Sequence, residues 1–116
     1  MSREKPSRGE VWYLSLGAAA TSPPEEHEFM GLVVSGDDFN QGESGLVLVV
    51  PISTTGGGNP LHIRLDPPEA GVRGTRFIKC DHVRSISIDR LRAFVGVVSG
   101  GTLAAMQDRI DSIFGR

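Results

Sequence analysis

Phe77-Ile78-Lys79-Cys80-Asp81-His82-Val83-Arg84-Ser85-Ile86 is apolar enough for a β-strand, yet it carries Lys79, Asp81, His82 and Arg84. Side chains alternate between the two faces of a strand. Ile78 and Cys80 are therefore expected to face a core, with Thr75, Phe77, Lys79 and Asp81 sharing the opposite face. A hydroxyl, an aromatic ring, a cation and a carboxylate in one row suit a polyanion site, although a half-buried strand with a solvated outer face carries the same pattern. Arg84 breaks the alternation, which predicts a bend or bulge near His82.

Working outward, Leu61–Leu65 alternates Leu, His, Ile, Arg, Leu and is expected to be a strand with His62 and Arg64 on its polar face. Asp66-Pro67-Pro68-Glu69 is a turn. Downstream, Val83–Ile88 continues as strand, Asp89-Arg90-Leu91 turns, and Arg92–Val98 is a last strand. Ser99 or Thr102 is expected to cap a helix running to about Phe114. Leu103, Met106, Ile110, Ile113 and Phe114 fall on one face of that helix and are expected to pack on the sheet.

Upstream, Gly9–Leu16 reads as the first strand, with Trp12 and Leu14 on one face anchoring the core. Gly17–Glu28 is a long loop, Phe29–Ser35 a second strand, and Gly36–Ser44 a polar turn. Leu46–Ile52 is a continuous apolar run bounded by turn residues, expected to be a strand buried on both faces. It leads into Ser53-Thr54-Thr55-Gly56-Gly57-Gly58-Asn59-Pro60, a hydroxyl-rich loop whose glycines would let backbone amides approach a phosphate. The run lacks the Gly-Lys-Ser/Thr of a Walker loop. The sum is a mostly β chain: a small antiparallel β-barrel closed by a C-terminal α-helix.

The 116 residues suffice for one domain, here expected as a single domain over 9–116 behind a flexible N-terminus at 1–8. The single cysteine, Cys80, excludes an internal disulfide and suits a reducing cytoplasm. The N-terminus lacks a signal-peptide core and no apolar run approaches a membrane span, so neither secretion nor a membrane is expected. No cysteine–histidine spacing resembles a zinc site. The net charge of −2 argues against indiscriminate nucleic-acid binding, but the charge is segregated. Residues 9–63 hold no Lys or Arg, whereas Arg73, Arg76, Lys79, Arg84, Arg90 and Arg92 cluster within 73–92. A basic patch on a mildly acidic protein can attract a phosphate backbone locally.

Taken in order, the motifs resemble the MazF/PemK family of toxin endoribonucleases. Arg8-Gly9-Glu10-Val11-Trp12 resembles the family's opening, and Leu32-Val33-Val34-Ser35 with Phe39-Asn40 its second strand and turn. Val49-Val50-Pro51-Ile52-Ser53-Thr54 resembles its Val-Pro-x-Thr-Thr/Ser segment. Gly71-Val72-Arg73-Gly74-Thr75 through Cys80-Asp81-His82-Val83-Arg84-Ser85-Ile86 resembles the region of its Cys-Asp-Gln-x-Arg-Thr-Ile segment. Ser99-Gly100-Gly101-Thr102-Leu103 matches the start of its C-terminal helix. The ordered set covers residues 8–115.

The resemblance implies an SH3-like β-barrel, a homodimer, and metal-independent, cofactor-free cleavage of single-stranded RNA, usually messenger RNA. It also implies a cognate MazE-like antitoxin whose C-terminal segment lies over the RNA surface. By the same resemblance Ser53 takes the place of the active-site Thr, with Thr54 beside it, and Asp81 and Lys79 take those of a base and a phosphate stabiliser. Arg84 matches the Arg of the Cys-Asp-Gln-x-Arg segment, and His27 is a candidate acid. The family's second strand opens with a catalytic Arg where this chain has Phe29. Lys79, Arg84, Arg73 and Arg76 are the candidate replacements. Arg73, Thr75, Arg76, Phe77, Thr55 and Asn59 are the candidate RNA-binding residues. Two alternatives share the fold: a gyrase inhibitor like CcdB, whose Trp-Gly-Ile ending differs from Ile113-Phe114-Gly115-Arg116, and a barrel that binds antitoxin or RNA without cleaving.

Overall fold

The computed structural model describes residues 5–15 and 28–116. Seven strands run in the order β1 (Glu10–Ser15), β2 (Glu28–Val33), β3 (Leu46–Ser53), β4 (His62–Leu65), β5 (Arg76–Lys79), β6 (Arg84–Ser87) and β7 (Leu91–Val97). A short helix α1 (Asp37–Gln41) follows β2, and α2 (Gly100–Ile113) ends the chain. Glu69–Gly71 and Ile88–Arg90 are 3-10 turns.

All strand pairs are antiparallel, in the spatial order β4-β5-β3-β2-β1-β7, with β6 also paired to β3. Among the described residues the end strands β4 and β7 are not paired. The sheet is thus not closed into the barrel expected from sequence, although the mostly β class and the C-terminal helix are as expected. Along β3 the pairing divides. One edge of it carries β2, while the other is shared: β6 takes Leu46–Val49 and β5 takes Ile52–Ser53. Between β5 and β6 the chain turns, with the His82 N–H donating to the Lys79 carbonyl at 3.0 Å. This is the break in pairing that Arg84 forecast.

The same division governs the core. Val47 and Val49 pack in one apolar cluster with Leu14, Val33, Ile86 and Leu91. Val50 and Ile52 enter a second with Val11, Met30, Leu32, Leu65, Ile78, Cys80 and Met106. β3 is therefore buried on both faces, but in successive halves. At its start Leu46 remains 38% exposed.

Three local expectations are corrected. Gly36–Ser44 is not simply a turn, because α1 forms within it. Asp37 and Asp38 sit in its first turn, where carboxylates favour the positive end of a helix. Asn40 is fully buried, donating to the Ser35 carbonyl and accepting from the Ser35 hydroxyl. Trp12 is a flank rather than a core anchor. A register shift against β7 leaves it half-buried, edge-on to Phe94, with its indole N–H donating to Glu10. On α2, Met106 is buried and Leu103 and Ile110 pack on the core, but Ile113 and Phe114 run past the sheet and are exposed.

Ser99 caps α2 by accepting from the Thr102 N–H, and the Ser99 N–H donates to Glu69. No helix among the described residues is long and apolar enough to cross a membrane.

Candidate functional site

Register decides which polar groups meet. Ser53 stands opposite Phe77 across β3 and β5, and across β4 and β5 Arg64 stands opposite Phe77 and His62 opposite Lys79. Cross-strand partners share a face, so Ser53, Phe77, Lys79, His62 and Arg64 lie on one side of the sheet. On the other side Ile78 is fully buried, and Cys80 just beyond the strand is buried too. Burial pushes the Cys80 thiol up to about 11, so it stays protonated at neutral pH. Asp81 follows the end of β5, and its carboxylate is held against His62, with Nε2 to Oδ1 at 3.2 Å. The exposed His82 reaches the same oxygen at 3.7 Å.

The hydroxyl–glycine loop folds back on this face. The Ser53 and Thr55 hydroxyls lie 3.1 Å apart, and the Ser53 oxygen accepts from the Thr55 N–H. Gly56 and Gly57, at φ of +144° and +89°, then lie over the Phe77 ring. A Cβ on Gly56 would sit 3.0 Å from the Phe77 Cβ, and one on Gly57 3.1 Å from Cε1. The glycines are needed for this close approach to a ring. Phe77 is thereby half-buried beneath the loop. Asn59 is turned to the chain itself, its side chain accepting from the Leu61 N–H.

The cations separate. Arg84 lies over Phe29, its guanidinium carbon 5.8 Å from the ring centroid. Arg76 shares with Ser53, Thr54 and Phe29 the lining of an open groove of ≈ 580 Å³, and its Nε is buried with no hydrogen-bond partner. Arg73 lines an adjoining groove with Tyr13 and Phe94, which Arg76 also borders. The Thr75 hydroxyl donates to Asp66, which Arg64 also contacts; these hydrogen bonds, Thr75 first, hold the Asp66 carboxyl below its usual range. His27 lies outside the described residues.

Ser53 and Lys79 thus share one sheet face, Thr54 and Arg76 line the groove beside Ser53, Asp81 is held by His62 past the end of β5, and Arg84 reaches Phe29 on the wall of that groove. Arg73 is not brought there, and Thr75 and Asn59 are engaged elsewhere. His62 and His82 are the residues that sequence reasoning left out of the site. Strand alternation had put His62 on the polar face, but its partner Asp81 is remote in sequence and no short-range spacing reports that contact.

A family model described as "PemK-like, MazF-like toxin of type II toxin-antitoxin system" matches residues 7–114. Solved structures of similar shape include an endoribonuclease in complex with its cognate antitoxin from a mycobacterial species, at 22% identity, covering 95% of each chain with a TM-score of 0.77. A MazE–MazF structure from Deinococcus radiodurans matches at 23% identity, 97% and 98% coverage and a TM-score of 0.78. The Mycobacterium tuberculosis toxin MazF-mt6 matches at 17% identity, 91% and 96% coverage and a TM-score of 0.74. At these identities the structural likeness shows a shared fold.

Proposed function

The chain belongs to the PemK-like, MazF-like toxin family of type II toxin–antitoxin systems, and on that premise we propose that it is a sequence-specific endoribonuclease. It cleaves single-stranded messenger RNA in the cytoplasm without a catalytic metal, residues 9–116 acting as one domain. The observation that carries this reading is the common sheet face. Strand pairing sets the Ser53 hydroxyl and the Lys79 ammonium on the same face, and His62, opposite Lys79, holds the Asp81 carboxylate, which supports the reading.

Such a group can run internal transesterification. The ribose 2′-oxygen attacks the adjacent phosphorus, the 2′-O–P bond forms and the P–O5′ bond breaks. The products are a 2′,3′-cyclic phosphate and a 5′-hydroxyl. Asp81 takes the 2′-OH proton, and the Ser53 hydroxyl donates to a phosphate oxygen. Lys79 and Arg84 offset the charge that builds on the phosphate. His27 is proposed to protonate the leaving 5′-oxygen. Arg76, its Nε without a protein partner, extends the cationic surface along the groove beside Ser53.

Solved structures of this fold include a complex with a cognate antitoxin and MazE–MazF assemblies. We propose the same arrangement here: a homodimer whose RNA surface is covered by the C-terminal segment of a small MazE-like antitoxin. The test is cleavage of a mixed single-stranded RNA by purified protein in EDTA, with the ends mapped, beside Ser53→Ala and Lys79→Ala. Discrete cuts ending in 2′,3′-cyclic phosphate, lost in both variants, support the reading. No cutting by folded, antitoxin-free protein overturns it in favour of a non-cleaving barrel.

A further inference from the structure

Two histidines outside the proposed catalytic set converge on the Asp81 carboxylate. His62 Nε2 lies 3.2 Å from Asp81 Oδ1, and His82 Nε2 lies 3.7 Å from the same oxygen. All three ligand-type atoms fall within 4.8 Å of one another. The two imidazole rings are tilted at 57°, with centroids 6.5 Å apart, so both present their Nε2 edges to the carboxylate rather than stacking. The His62 Nδ1 is buried against the Gly56 loop. Nε2 is therefore the His62 atom left to meet a ligand. Cys80, next in the chain, faces the core and takes no part.

We propose that His62, Asp81 and His82 form a binding site for a divalent transition-metal ion of the zinc class. Two imidazole nitrogens and one carboxylate oxygen are donors that Zn²⁺ accepts at about 2.0–2.2 Å, leaving a fourth position open. At such lengths tetrahedral ligand atoms stand roughly 3.3–3.6 Å apart, which the two observed distances bracket. The remaining His–His gap closes by rotation of His82, whose side chain is 56% exposed. His62, at 10% exposure, is the fixed ligand. Lys79 stands opposite His62 and opposes a cation electrostatically, so the affinity is modest and the site reversible. An ion held here removes Asp81 as a proton acceptor. On the endoribonuclease reading, occupancy therefore switches cleavage off.

The test is titration of untagged, EDTA-stripped and dialysed protein with ZnCl₂ by calorimetry, without RNA. One ion per chain is expected. His82→Ala and His62→Ala should each weaken binding by about tenfold or more. His82 is exposed, so its variant keeps the fold and decides the matter even if His62→Ala unfolds. No saturable binding, or full affinity in His82→Ala, overturns the proposal. Because binding is read without RNA, the result is separate from whether the chain cleaves. Where it does cleave, zinc should slow the wild type and EDTA should restore it.

Discussion

The Arg84 guanidinium lies over the Phe29 ring, 5.8 Å from its centroid, at the start of β2. A ring quadrupole attracts a cation there by about 0.5–1 kcal/mol when the pair is exposed. Phe29 stands where the family resemblance expects an arginine, so the ring brings a cation from β6 to a place where β2 no longer supplies one. Arg84→Ala should lower single-turnover cleavage by about 10². Phe29→Leu leaves Arg84 unanchored and should cost roughly tenfold, by misplacement rather than loss of charge. Full activity in Phe29→Leu would show that the stacking has no catalytic part.

Ser53 is tied to its loop by Thr55, hydroxyl to hydroxyl at 3.1 Å. Ser53→Ala should reduce kcat by about 10² while leaving RNA affinity nearly unchanged, as loss of a transition-state hydrogen bond does. Ser53→Thr keeps the oxygen and should retain most of the rate. Equal loss in the Thr and Ala variants would mean that shape at this position, not the hydroxyl, matters.

Gly56 holds a φ of +144° with Phe77 directly beneath it. Gly56→Ala meets both the backbone strain and the ring, and should destabilise the loop by about 1–3 kcal/mol. The check is limited proteolysis together with urea unfolding. Cleavage of the chain at residues 54–58 should become faster in the variant, and an unchanged digestion pattern would contradict the packing.

Glu69 joins the 3-10 turn to the start of α2. Burial pushes its carboxyl up, but hydrogen bonds from Thr102 and Ser99 outweigh this and hold it below the usual glutamate range. A carboxylate with a lowered folded pKa adds stability above its unfolded pKa, lost as pH falls through the folded one. Wild-type protein should therefore lose more stability than Glu69→Gln between about pH 5 and pH 3. Parallel acid limbs in thermal melts of the two would refute this.

Asn40 is fully buried and bound to both the carbonyl and the hydroxyl of Ser35, whose oxygen also accepts from the Leu48 N–H. Asn40→Ala leaves buried groups unsatisfied and should cost about 1–3 kcal/mol in chemical denaturation. A loss well under that range would mean water replaces the amide.

Much of this molecule was legible because its signals are local. Alternation at Phe77–Cys80 correctly placed Ile78 and Cys80 inside. The 3.6-residue spacing of Leu103, Met106 and Ile110, with Ser99 before them, correctly placed a capped helix. Even the irregularity at Arg84 correctly signalled a break in the strand. These patterns depend on a residue's own neighbours and on the period of its element.

Other features depend on pairing between distant segments, and only the tertiary structure decided them. β5 and β6 share one edge of β3, and among the described residues the end strands β4 and β7 do not pair. His62 meets Asp81 across adjacent strands, Gly56 and Gly57 lie over Phe77, and Arg76, but not Arg73, reaches the groove beside Ser53. A strand's sequence states which side chains share a face, but not which strand lies beside it or in what register. Those follow from how the whole chain buries its apolar surface, and the chemistry of the site follows from them.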